Sequence, residues 1–359
     1  MLRENAMRRL FCTVLPLMLA VPMAAYALPQ RTFVASNGAD TNSCALTSPC
    51  RSFGTAVAAV AAGGEVIVLD SAGYGAATIA KSVSIISPPG IYAGVSVFSG
   101  AGITVNGASI KVVLRGLSIN NQGGTDGIDF LQGAGLHVEN CVISGFSAGI
   151  GIDLQAASGV MHVNDTTIRD GGQGIRVLAA SAVTVSRTRV EDNAIYGVFV
   201  VGGAIVGIED SIVSGSDTDI YVFPTLPSSS ARVTIARTLI SGGSLGVSVE
   251  PAAANASAHV SIMDSTISNT AAQGGIKAHV INGFEATVLA TRNQFLDNGT
   301  AAYATGASAY VILDDNSFTG NFITSSRNTG AVFYTRNNNT EARNSNPPVG
   351  LPYTTLTGF

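Results

Sequence analysis

The chain has 359 residues, of which 19 are basic and 23 acidic; charged residues make up only 12%, glycine occurs 41 times and tryptophan never. No basic stripe is present, which argues against a nucleic-acid partner. Low charge, abundant glycine and 46% hydrophobic residues point to a thin-walled all-β exported protein built as one extended domain.

Arg8 and Arg9 precede an apolar run over residues 10–24, and Ala25-Tyr26-Ala27 is a small-residue cleavage pattern. This predicts a secretory signal over residues 1–27, too short to be a membrane anchor. No later stretch is long and apolar enough to span a bilayer. Without residues 1–27, which carry Arg3, Glu4, Arg8 and Arg9, 16 basic residues face 22 acidic ones. The expected location is secreted, periplasmic or at the cell surface.

Residues 28–64 form an N-terminal segment. Residues 32–35 can form a first strand. Cys44 and Cys50 flank a short loop rich in Ser, Thr and Pro, and a disulfide between them fits an oxidising compartment. Ser52 reads as a helix N-cap, with Phe53, Ala56, Val57 and Val60 at helical spacing until Gly63-Gly64 stops the helix. A helix over residues 53–62 would close the N-terminal end of the repeat array that follows.

The array is expected over residues 65–334, with irregular early coils at 65–69, 81–86 and 94–105. Its clearest unit is VTIARTLISGGSLGVSVE, residues 233–250. Apolar residues alternate through Val233 and Ile235, the chain bends at Arg237-Thr238, Ile240 returns inward, and Val247 and Val249 alternate again. One coil therefore reads as strand, bend and strand. Equivalents of Ile240 are Ile119, Ile143, Ile168, Val190, Val213, Ile267, Phe295 and Phe318. A spacing of about 25 residues with a two-residue alternation inside it means a stacked β-solenoid. The positions seven and five before each anchor are apolar in every coil, as in Val206 and Ile208 or Val260 and Ile262, and must face inward. Coils stacked in parallel at about 4.8 Å make nine of them a rod roughly 40 Å long. Cys141 occupies a slot filled elsewhere by Thr, Ser or Asn, and reads as a buried free thiol. Beyond Phe318 the pattern decays through Val332-Phe333-Tyr334, leaving residues 335–359 as a C-terminal cap or tail.

The cysteine-bridged loop, the helix after it, the EVIVLDSAGYG turn and coils such as VSIMDSTISNT together resemble secreted bacterial right-handed parallel β-helix proteins of the pectate-lyase-like superfamily. The resemblance covers nearly the whole chain after residue 27. It implies an all-β, single-stranded right-handed parallel β-helix with a short N-terminal capping helix. For activity it implies a wide range: lyases, hydrolases, esterases, epimerases, tail-spike proteins and adhesins. Calcium is the one cofactor it leaves open, held in pectate lyases by several acidic residues beside a catalytic arginine. No comparable cluster is legible unless Asp126 joins Asp129 and Asp153, so no metal ligand is assigned. His137 and His162 share an outward position in neighbouring coils but lack a third ligand at suitable spacing.

Two outward columns follow from the register. Three residues before the last seven anchors stand Asp165, Arg187, Asp210, Arg237, Asp264, Arg292 and Asp315, a strict alternation of charge. It contributes little energy per exposed pair, but a slip by one coil would bring like charges together. On the strand after the turn, Asp129, Asp153, Arg176, Phe199, Tyr221, Ser248 and Lys277 follow one another, one per coil. Three readings of this second column stand side by side. It is a solvated face whose Asp153 and Arg176 pair across coils; or a polysaccharide-binding groove in which Phe199, Tyr221 and Lys277 bind; or the site of a polysaccharide lyase or glycoside hydrolase using Asp129, Asp153 and Arg176. In the last case Asp129 and Asp153, one coil apart, would be acid and nucleophile, close to the separation in retaining glycosidases. The expected function is an exported scaffold that contacts polysaccharide without turning it over, because the acidic pair lacks the surrounding groups that sugar chemistry requires.

Overall fold

A computed structural model describes residues 27–271, 274–328, 330–350 and 353–356. The expected signal therefore lies outside the described residues, apart from its last one. Among the described residues, three parallel sheets of fourteen, twelve and eleven strands run the length of the molecule. Every coil in the regular part gives one strand to each sheet. In the coil around Ile240 these are Ser230–Ala236 in the fourteen-stranded sheet, Leu239–Ser241 in the twelve-stranded sheet and Leu245–Val249 in the eleven-stranded sheet.

This corrects the reading of a coil as strand, bend and strand. The anchor residue sits in a third, three-residue strand of its own, because the chain turns on both sides of it through a left-handed residue. In this coil these are Arg237 (φ 49°) and Gly242 (φ 82°). The first corner recurs at Asn140, Asp165, Arg187, Asp210, Asp264, Arg292 and Asp315, all with φ between 47° and 55°. The alternating charges thus occupy the corner itself. Asp and Asn tolerate this conformation and Arg does so less readily. Each of three arginines is anchored there by a two-pronged pair with the aspartate of the preceding coil. Arg187 donates to Asp165 at 2.8 and 2.7 Å, Arg237 to Asp210 at 2.6 and 2.8 Å, and Arg292 to Asp264 at 2.8 and 2.9 Å. The column is therefore a series of forked Asp–Arg pairs, with Arg237 Nη2 also reaching Glu209 at 3.3 Å.

The anchors pair in register, Val213 with Ile240 and Ile240 with Ile267, and so do the inward columns, Val206 with Val233 and Ile208 with Ile235. All of these side chains are buried. Beside the anchors a polar stack runs inside the first corner. Side chains of one coil accept the backbone N–H of the coil before: Ser211 from Thr188 at 3.2 Å, Asn293 from Ser265 at 3.0 Å, Asn316 from Asn293 at 2.9 Å and Asn339 from Asn316 at 2.9 Å. This satisfies corner N–H groups that no ladder reaches. Cys141 heads that stack as a buried free thiol, its pKa pushed up to about 11 by burial.

At the N-terminal end, helix α1 (Phe53–Ala59) is capped by Ser52, whose side chain accepts the Thr55 N–H. It buries Phe53, Ala56 and Val57 against the first strands, with the Phe53 ring 5.2 Å from that of Tyr74. The helix is shorter than the expected 53–62. Val60 is already extended, and the Ala61 N–H leaves the helix to bond the Pro29 carbonyl. Cys44 and Cys50 form the expected disulfide. Since it closes a loop of only six steps, reduction should lower the unfolding free energy by no more than about 2 kcal/mol. Denaturant unfolding with and without reductant checks this.

At the other end, pairing continues beyond residue 334. Thr340–Ala342 joins the twelve-stranded sheet, Thr354–Thr355 joins the fourteen-stranded sheet, and Tyr353 packs edge-on against Phe333 at 5.8 Å. Asn339 and Asn344 extend the polar stacks by one more coil. Among the described residues, no helix is long and apolar enough to cross a membrane.

Candidate functional site

The outer face of the eleven-stranded sheet carries the second column. Its cross-coil register is Asp129–Asp153–Arg176–Phe199–Tyr221–Ser248–Lys277, continued by Tyr303 and Ser326. From Asp129 to Tyr303 each lies between two inward apolar residues, as Asp153 does between Ile152 and Leu154, so strand alternation aims the row outward.

The row has three parts. At its N-terminal part Arg176 donates two hydrogen bonds to Asp153, Nε to Oδ1 at 2.9 Å and Nη2 to Oδ2 at 2.8 Å, and Gln155 donates a third to Oδ2 at 2.6 Å. Asp153 is 1% exposed, so both its oxygens are covered by these donors. The adjacent Asp129 differs. Its Oδ1 is buried without a partner, and its pKa is pushed up to about 6 by burial and by the charges of Asp126 and Asp153, against the pull of Arg176. Asp126 accepts the Ile150 N–H at 2.9 Å. The three residues expected to act together are thus neighbours, but the one expected to be a nucleophile is enclosed in an ion pair.

The middle is a four-ring cluster. Phe199 and Tyr221 stack across coils at 5.4 Å, Tyr196 lies 4.5 Å from Phe199 and 5.1 Å from Tyr221, and Phe223 lies 5.0 Å from Tyr221. Tyr196 and Phe223 fall outside a column of one position per coil, so that column does not mark them as part of the face. Tyr196 stands three before the column on its strand and Phe223 two after it, just past the end of Thr218–Val222, and the period-two alternation Tyr221-Val222-Phe223 is the signal that finds the second of them.

The third part centres on Glu250, also missed, two residues beyond Ser248. Ser248 is small and buried, so the ring stack ends at Tyr221. Glu250 lies over it, accepting from Ser248 at 2.7 Å, Lys277 at 2.6 Å and Tyr221 at 3.3 Å, with His279 Nδ1 at 3.7 Å. Burial alone would raise its pKa, but the hydrogen bonds from Lys277 and Ser248 outweigh that and hold it below the usual glutamate value. The Tyr221 phenol is pushed up by burial and by the Glu250 charge.

Among the described residues, no group of three or more His, Cys, Asp or Glu side chains is placed to hold a metal ion. His137 and His162 pack with their rings tilted, centroids 4.7 Å apart, on the fourteen-stranded sheet, away from this row.

Residues 78–225 match the family whose model is described as right handed beta helix region. No curated protein matches the chain. Among solved structures it is similar to the pectate lyase Pel9A, with 14% identity and a TM-score of 0.52 over 93% of this chain and 80% of that one. The Dettilon tailspike protein gives 11% identity and a TM-score of 0.49 over 89% and 68%. The A-module of the Azotobacter vinelandii mannuronan C-5 epimerase AlgE6 gives 14% and 0.44 over 83% and 92%. At such identities the likeness is one of fold.

Proposed function

We propose that this right-handed parallel β-helix is an exported scaffold that contacts polysaccharide along the outer face of its eleven-stranded sheet, without turning it over. The observation that carries the reading is the four-ring cluster bounded on either side by carboxylates already held by their own cations, Asp153 by Arg176 and Glu250 by Lys277. Aromatic side chains offer apolar area with a polar handle at low entropic cost, which suits the apolar faces and hydroxyl rims of sugar rings. A nucleophile or general base needs a free lone pair near the reacting atom, and those of Asp153 and Glu250 are engaged. The Cys44–Cys50 disulfide supports export, since such bridges persist in oxidising compartments.

The test is affinity electrophoresis against a panel of polysaccharides. Tyr221→Ala removes the ring shared by three of the four aromatic contacts in the cluster, and should weaken retention at least about tenfold, the loss typical of a buried aromatic anchor. Unchanged retention in that variant would remove the cluster from the binding face.

One observation favours the second reading, a polysaccharide lyase or glycoside hydrolase: Asp129, with a pKa of about 6, would be protonated in mildly acidic solution as a general acid must be. It predicts product release that falls as pH rises through about 6 and is abolished in Asp129→Asn.

A further inference from the structure

We propose that the polysaccharide taken by this face is uncharged, and that internal ion pairing makes the face reject polyuronates. The inference rests on the binding reading above and names its ligand class. Anionic glycans are recognised by Arg or Lys with free donors, most effectively through a two-pronged contact to the carboxylate. The row contains two such cations, and both are occupied. Arg176 presents Nε and Nη2 to Asp153, and Lys277 presents Nζ to Glu250. His279, the remaining basic side chain near the rings, also faces Glu250.

Drawing either cation away to a ligand would leave Asp153, 1% exposed, or Glu250, 8% exposed, as a buried carboxylate without its partner, which is strongly unfavourable. What is left unpaired on the face is negative: Asp126 and Asp129 at one end, and Asp217, whose charge reaches Tyr196, beside the rings. A polyuronate laid along the row would bring a carboxylate past these groups at each residue. A neutral chain meets rings, the Tyr hydroxyls, and carboxylates able to accept hydrogen bonds from sugar hydroxyls.

The experiment compares galactomannan and xyloglucan with polygalacturonate and alginate in affinity gels, at low ionic strength and with a chelator present so that divalent cations do not bridge. Low salt gives charge effects their fullest expression. The protein should be retarded by at least one neutral polymer and by neither anionic one. Glu250→Gln keeps the shape of the side chain and releases Lys277 and His279, so it should gain retardation by polygalacturonate, several-fold over the parent and reversed by added salt. Preferential retardation of the unmodified protein by a polyuronate overturns the inference and leaves the binding reading standing. Absence of any gain in a folded Glu250→Gln variant overturns the role given to the Glu250–Lys277 pair. If no polymer retards either protein, both the inference and the binding reading fall.

Discussion

Arg176→Ala should lower the unfolding free energy by about 3–5 kcal/mol at neutral pH, far more than loss of an exposed arginine would. The cost arises from what is left behind. Asp153 is 1% exposed and takes two of its three side-chain hydrogen bonds from this guanidinium, so the variant must bury a carboxylate with only Gln155 to satisfy it, or protonate it. Replacing both partners by apolar residues of similar volume, as in Asp153→Leu with Arg176→Met, should recover most of the loss, because breaking a buried pair costs more than removing it. Urea unfolding of the single and double variants measures this. A single-variant loss below about 1 kcal/mol would mean that water reaches Asp153 and that the pair belongs with the exposed pairs of the corner column.

Asp219→Asn should make the protein more stable in alkaline solution and flatten its stability between about pH 4 and 8. Asp219 is 0% exposed and lies in an inward column that is glycine at Gly102, Gly127, Gly151, Gly174, Gly197, Gly246 and Gly275 and alanine at Ala301. Coils approach closely at most of these positions: a Cβ on Gly174 would lie 2.5 Å from the Gly197 carbonyl oxygen, and one on Gly197 the same distance from that of Asp219. The N–H at the second corner is elsewhere accepted by the asparagine of the next coil, as that of Gly171 is by Asn193, but the coil after Ser216 has Gly243 in that place. Asp219 Oδ1 accepts the Ser216 N–H at 3.1 Å instead, while Oδ2 has no partner. Burial pushes the carboxyl up to about 8, against the pull of the Ser216 hydrogen bond and of the nearby Gly243 backbone N–H. The unfolded chain loses this proton near 3.8 and the folded chain keeps it to about 8, so the folded state binds more protons in between. Stability from this group is full below about pH 4 and declines as pH rises to about 8, by on the order of several kcal/mol. Asparagine keeps the acceptor and cannot ionise. Denaturant unfolding of both proteins at pH 5 and pH 9 checks it; an equal slope in parent and variant would show that the carboxyl is ionised and satisfied in the fold.

The parallel stacking was legible because it rests on apolar side chains that must repeat. Ile240 and its equivalents, and columns such as Val206–Val233–Val260, fall in the observed register without adjustment. The outward row was legible for the same reason, since alternation fixes what lies between two buried residues. The corners were not. Left-handed residues at the first corner include Asn, Asp and Arg, and the second uses Asp170, Asp192, Gly215 and Gly242, so one backbone conformation hides behind unlike chemistry. Nor could alignment show which way a side chain leans. Asp153 and Glu250 both belong to an outer face, yet each is drawn down onto the sheet by its cation, Glu250 with room left by the small Ser248 beneath it. Helix α1 ended early because a competing backbone acceptor, the Pro29 carbonyl, came from a different coil and left no mark at residue 61.

Contact without turnover is the central claim, and it is tested most directly by incubating the purified protein with neutral and acidic polysaccharides, with and without calcium, and following retention and released products together. The account predicts retention of a neutral polymer with no new reducing ends and no unsaturated sugars. Product release that disappears in Asp153→Asn would contradict it, and would make the row from Asp129 to Lys277 an active site.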